Sequence, residues 1–140
     1  MTAHHKDKTS ATLIAMLLGG IGLHRFYLFG KSSIGGWAYI VATTIYCGIV
    51  AAQWLQGSIG TSVLVLFPLP VYIAFVEALV MGVTDDNKWD ARFNLHSGRQ
   101  SRSRWPLAVL LVLSFAVGIV ALITSMARAT DLLYTGGAFG

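Results

Sequence analysis

The sequence predicts an all-α, polytopic transmembrane helical bundle of three to four membrane segments, and three observations predict it. Hydrophobic residues make up 55% of the 140 and charged residues 11%, against about a quarter charged in soluble domains. Mean hydropathy is +0.66, so too little polar side chain remains to cover a water-soluble surface. The charges are also segregated: long uncharged runs alternate with short basic stretches. The lipid bilayer is therefore the expected surroundings. A formal charge of +4 placed in such links points to anionic headgroups rather than to nucleic acid. The single cysteine, Cys47, sits in an apolar run; it excludes an intrachain disulfide and reads as a small hydrophobe.

Residues 1–8 form a polar N-terminal leader with His4, His5, Lys6 and Lys8. It resembles the charged start of a signal peptide, but no small-x-small cleavage site follows, so it is read as retained. Adjacent histidines at a chain end do not make a metal site, and no metal or cofactor is expected. The first apolar run, Thr9 to Leu23, has 15 uncharged residues, about 22 Å of helix against a hydrocarbon core near 30 Å. It crosses only if Phe26–Phe29 continue it, giving a segment of about 9–29; otherwise it is re-entrant. Residues 34–55 carry no charge, with Trp37 and Trp54 near the ends at a spacing that suits two interfacial belts. After the uncharged link Gln56–Thr61, a segment of about 62–84 returns. Pro68 and Pro70 shape its start, and Ala74, Ala78 and Gly82 recur at four-residue spacing as a flat stripe for a neighbouring helix.

Within 85–94 the acids come first, and Lys88 and Arg92 lie four apart, as do Trp89 and Phe93, which predicts an interfacial helix. Residues 95–104 read as a flexible basic linker whose Arg99, Arg102 and Arg104 contact anionic lipid headgroups. Trp105-Pro106 opens an additional C-terminal transmembrane helix over 105–127, and 128–140 is a short tail.

One stretch stands apart from these runs. In Gly19-Gly20-Ile21-Gly22-Leu23-His24-Arg25-Phe26-Tyr27-Leu28-Phe29-Gly30 a basic pair is wedged between apolar and aromatic residues. A full charge flanked by apolar sequence must reach an interface or find a partner. This stretch resembles the signature of the TM-2 domain family of small membrane proteins: a glycine-rich helix end, a His-Arg-Phe or Asp-Arg-Phe turn, then Tyr-Leu-Gly. The resemblance covers about 9–94, and residues 85–94 are similar to the acidic, aromatic tail that follows the family's second helix. It implies a membrane-embedded helical hairpin with a cytoplasmic basic turn, and no enzymatic activity. The segment over 105–127 is an addition to that pattern. Gly19, Gly20, Gly22, His24, Arg25, Phe26, Tyr27 and Gly30 are the candidate residues it marks.

Charge orients the chain. Arg25 and Lys31 lie in one link, and Lys88, Arg92, Arg99, Arg102 and Arg104 lie in the long loop, while the link between the two middle segments has none. The two basic regions should share the cytoplasmic face of a plasma or bacterial inner membrane, with the C-terminus outside. If the first run does not cross, there are three spans and the basic leader is inside, which charge favours. If it crosses there are four, and the hairpin architecture implied by the resemblance tips the expectation that way.

Glu77 is the only acid in the middle of an apolar run, and a bare carboxylate there is costly. In the family a carboxylate, usually aspartate, occurs in the second helix, and Glu77 matches it in kind. It lies seven residues before Thr84, about 10 Å by helical rise, within reach of Arg25, with His24 as a neighbour. Three roles stand open: an ion pair with Arg25, a protonated carboxyl, and a proton- or ion-coupled transport site. No nucleophile elbow, phosphate loop, zinc motif or cysteine pair is present, so no catalytic residue is expected. The reading is an interaction, scaffold or regulatory accessory protein, with homo-oligomers or a membrane-protein partner. The alternative is a small transporter or channel organised around Glu77.

Overall fold

The computed structural model describes residues 5–57 and 68–138. It is all-helical, 78% helix, with no strand among the described residues. Six α-helices follow in order: α1 (Lys8–Leu18), α2 (Leu23–Phe29), α3 (Ile34–Leu55), α4 (Leu69–Val83), α5 (Asp86–Phe93) and α6 (Trp105–Thr135), with a 3-10 turn over Gly19–Ile21.

Local chemistry sets the ends. The Asp7 carboxylate caps α1 by accepting from the Ser10 amide at 2.7 Å, and Ser33 caps α3 through the Gly36 amide at 3.1 Å. Each satisfies a donor the first turn would otherwise leave open. Pro70 and Pro106 occupy the first turns of α4 and α6, where a missing N–H costs nothing. Gly136, at φ 68°, ends α6 in the left-handed conformation.

Two helices are long and apolar enough to cross a membrane. They are α3, with 22 residues and mean hydropathy 1.6, and α6, with 31 residues and mean hydropathy 2.8. Only 11% of the apolar window of each is buried within the chain, whereas the core helix of a soluble protein hides its apolar side chains. α1 and α4 are shorter, 11 and 15 residues, or roughly 16 and 22 Å. The sequence-predicted segment over 62–84 begins at 62–67, which lie outside the described residues.

The first apolar run, expected over about 9–29, is divided between α1, the 3-10 turn and α2. It does not continue through Phe26–Phe29 as one rod. The 3-10 turn and Gly22, at φ 76°, reverse the chain, and α2 returns along α1. The Tyr27 hydroxyl accepts from the Asp7 amide at 3.0 Å, and the Lys6 ammonium donates to the Leu28 carbonyl. Both ends of this hairpin therefore lie at one end of the molecule. The left-handed φ at position 22 is one that glycine adopts without strain, so the glycine cluster is a turn and not merely a loose helix end.

α4 is the centre of the bundle, packed against α1, α6 and the 3-10 turn. Its contact stripe is the one the sequence marks: Ala74, Ala78 and Gly82 are buried. Gly82 packs on the Leu111 side chain of α6, and Gly19 meets Ala74 so closely that a Cβ at position 19 has no room. On α1 the buried residues beyond Lys8 at its start, Ala11, Thr12 and Ala15, are also small. Backbones approach where side chains do not hold them apart. The Tyr72 hydroxyl ties α4 to α6 at the Ser125 hydroxyl, 2.8 Å away.

The polar end is more ordered than its composition predicts. Trp89 is 1% exposed and joins Ala11 and Leu28 in the core, flanked by Tyr27, Met81 and Phe93. The Trp89 indole donates to the Lys6 carbonyl at 2.9 Å, and Asn94 accepts from the Lys6 amide at 2.7 Å. Lys8 pairs with Asp86 at 2.5 Å. The stretch expected to be a flexible linker is anchored: the Ser101 amide donates to Asp90 at 2.6 Å and the Ser103 amide to Asp86 at 2.7 Å. Serine hydroxyls and amides satisfy carboxylates that α5 would otherwise leave bare. α6 also runs past the expected boundary at 127, to Thr135, and carries an Arg128–Asp131 pair three residues apart.

Candidate functional site

The site is built where α2 meets α4. His24 and Arg25 open α2 directly after the Gly22 turn, and Glu77 lies on α4 beside Ala74 and Ala78. Because Gly19 and Ala74 touch, the first turn of α2 is held against α4, and both basic side chains reach one carboxylate. His24 Nε2 is 2.5 Å from Glu77 Oε2. Arg25 Nε donates to the same oxygen at 3.2 Å, and Arg25 Nη2 donates to Oε1. The two-pronged contact is the strong form of arginine–carboxylate pairing. With Glu77 ionised the carboxylate can only accept, and His24 Nε2 is then the donor in this contact.

Tyr39, on α3, closes the site. Its ring lies edge-on to His24 at 5.4 Å and 5.9 Å from the Arg25 guanidinium carbon, within cation–π range. His24 is 1% and Tyr39 7% exposed. Among the described residues His24 Nδ1 and the Tyr39 hydroxyl have no hydrogen-bond partner.

Glycines make room for the basic turn. A Cβ at Gly35 would stand 2.7 Å from Arg25 Nη1, and one at Gly36 would stand 2.7 Å from the Phe26 ring. A Cβ at Gly22 would lie 2.6 Å from that of Tyr39. Gly35 and Gly36 are functional neighbours that sequence reasoning missed. The signal was available: two glycines in the first turn of a long apolar helix, where they weaken the helix unless something packs against them.

Of the residues marked by the sequence, the structure gathers Gly19, Gly22, His24, Arg25, Phe26 and Glu77 in this one place. The Gly20 carbonyl accepts from the Thr43 hydroxyl and so ties the turn to α3. Tyr27 faces the other way, toward Asp7. Gly30, at φ 75°, ends α2 with open space around it. Arg99, Arg102 and Arg104 are exposed and lie apart from the cluster. Cavities adjoin the Arg25–Glu77 pair on two sides: one of about 180 Å³ reaches Lys88 and Arg92, and one of about 400 Å³ reaches Tyr39, Ala42 and Pro70. Among the described residues no group of three or more potential ligands that could hold a metal is present.

The cluster can clamp two helices through charge. Comparison with protein-family models, curated proteins and solved structures finds no match.

Proposed function

We propose that the chain is an integral membrane protein of the TM-2 type, with no catalytic activity, that works as an interaction or regulatory accessory subunit. The observation that carries the reading is the exposure of α3 and α6: both are long and strongly apolar, yet almost nothing within the described chain covers them. Lipid or a partner helix must do so. Crossings by α3, α4 and α6 give three spans, with the α1–α2 hairpin re-entrant. The leader, the Lys31 link after α2, toward which Arg25 opens, and the long loop then share the cytoplasmic face. That arrangement gathers every lysine and arginine except Arg128 on one side, as the positive-inside pattern favours. The Glu77 cluster pins the re-entrant hairpin to α4.

α3 supports the interaction role. Its buried residues are only Gly36 and Tyr39, both in its first half, and Ile45, Trp54 and Leu55 are exposed beyond them. Cys47 is exposed on that helix and is the chain's one cysteine. Oxidative or bifunctional cross-linking at Cys47 in native membranes should give one discrete adduct, a dimer or a single heteromeric band. A chain that remains monomeric at every cross-linker concentration contradicts the role.

A second reading, ion- or proton-coupled transport, draws on the two cavities that meet at Glu77. In proteoliposomes it requires a flux that Glu77→Gln abolishes while protein abundance is kept. No flux in the unmodified protein removes it.

A further inference from the structure

We infer that the groove between α2 and α5 binds the phosphate of an anionic phospholipid, with Lys88 and Arg92 as its cationic ligands. The inference rests on the membrane reading above and adds a lipid site to it.

α5 divides its charges between two faces. Asp86 and Asp90 turn toward Lys8, Ser101 and Ser103, which satisfy them, and Asp85 caps its own helix at the Asn87 amide. Lys88 and Arg92, four residues apart, line the 180 Å³ cavity instead. Among the described residues neither has a carboxylate partner. The Arg92 guanidinium rests on aromatic rings, 6.0 Å from the Phe29 centroid and 5.4 Å from that of Phe93, which holds the head at the groove mouth.

Below the cations the wall is apolar, formed by Phe29, Val80 and Met81. The one anion among the groove's lining residues, Glu77, is already ion-paired with Arg25 and in hydrogen-bond contact with His24. An occupant must then be anionic at the mouth and apolar beneath it. At the level of Thr84, where the chain leaves α4 for α5, the lipid phosphate has that chemistry. Free phosphate matches the mouth but leaves the apolar wall unused.

The test uses the full chain in nanodiscs of phosphatidylcholine doped with phosphatidylglycerol, scored by native mass spectrometry of retained lipid. Phosphatidylglycerol should be retained in preference to phosphatidylcholine. Each cation near a headgroup surface contributes enough for about a fivefold preference, so Lys88→Gln with Arg92→Gln should lower it about 30-fold. Lys88→Arg with Arg92→Lys should keep it, which separates charge from folding. Replacing Arg99, Arg102 and Arg104 by Gln should leave this site's preference intact.

Equal retention of both lipids overturns the site, as does a preference lost with the three linker arginines alone. Displacement of the lipid by millimolar inorganic phosphate overturns the lipid as occupant. None of these outcomes touches the membrane reading, which fails separately if the chain is soluble without detergent.

Discussion

Replacing Glu77 by Gln keeps the shape of the side chain and removes the charge that Arg25 and His24 face. Taking one partner from a fully buried ion pair costs about 3–5 kcal/mol, while exposed pairs contribute about 0–1 kcal/mol. The site lies between these limits. Glu77 keeps 22% and Arg25 35% of side-chain surface, so the arginine stem can carry its head partway to water. A loss of about 2 kcal/mol follows, close to 30-fold in the folded-to-unfolded ratio. Arg25→Gln should cost a similar amount. Because both changes remove the same pair, the double variant should be little worse than either single one, a coupling of about 2 kcal/mol. Unfolding in mild detergent with a denaturing detergent as titrant, followed by far-ultraviolet circular dichroism, measures all three. Losses that add to within about 0.5 kcal/mol would refute the clamp, as would a neutral Glu77→Gln.

The glycines separate packing from propensity. Gly22→Ala meets both a left-handed φ of 76° and the Tyr39 Cβ at 2.6 Å; it should cost at least about 2 kcal/mol in the same assay. Gly48→Ala, helical with open space around it, should be neutral or gain up to about 1 kcal/mol. The polar end should loosen in acid. Burial raises the Asp86 pKa, but hydrogen bonds from Lys8 and Ser103 outweigh it and hold the carboxyl down to about 2, below its ordinary 3.8. Asp90 is also lowered: burial opposes, and Asn94 and Ser101 prevail. Folded-state values below the unfolded ones mean this stabilisation is present above about pH 4 and is lost as pH falls toward 2. The protection of the Ser103 amide against hydrogen exchange, relative to the intrinsic rate at each pH, should fall over that window, and Asp86→Asn should lower it throughout.

Sequence reading reached what depends on periodicity and on isolated charge. The tryptophans at 37 and 54 frame α3, the Ala74–Gly82 stripe is the buried face of α4, and the Arg25–Glu77 pair follows from helical rise. It did not reach what depends on direction. A hydropathy run of 15 residues looks the same whether the chain goes on or turns back, and the reversal at Gly22 is a matter of φ. Lys8–Asp86 and Ser101–Asp90 join residues distant in sequence, and no local pattern marks such partners. Serines read as linker composition were the ligands of α5's acids. Arg128 looked like a terminus because its partner, Asp131, lay inside the supposed tail.

Sidedness of the leader tests the account most directly. With Cys47 replaced by Ser, single cysteines at Asp7, Gln56 and Arg99 can be exposed to a membrane-impermeant maleimide in sealed cells and in inverted vesicles. Asp7→Cys and Arg99→Cys should label together from the cytoplasmic side, and Gln56→Cys only from the other. Labelling of Asp7→Cys and Arg99→Cys from opposite faces would contradict the re-entrant hairpin and the three-span arrangement built on it.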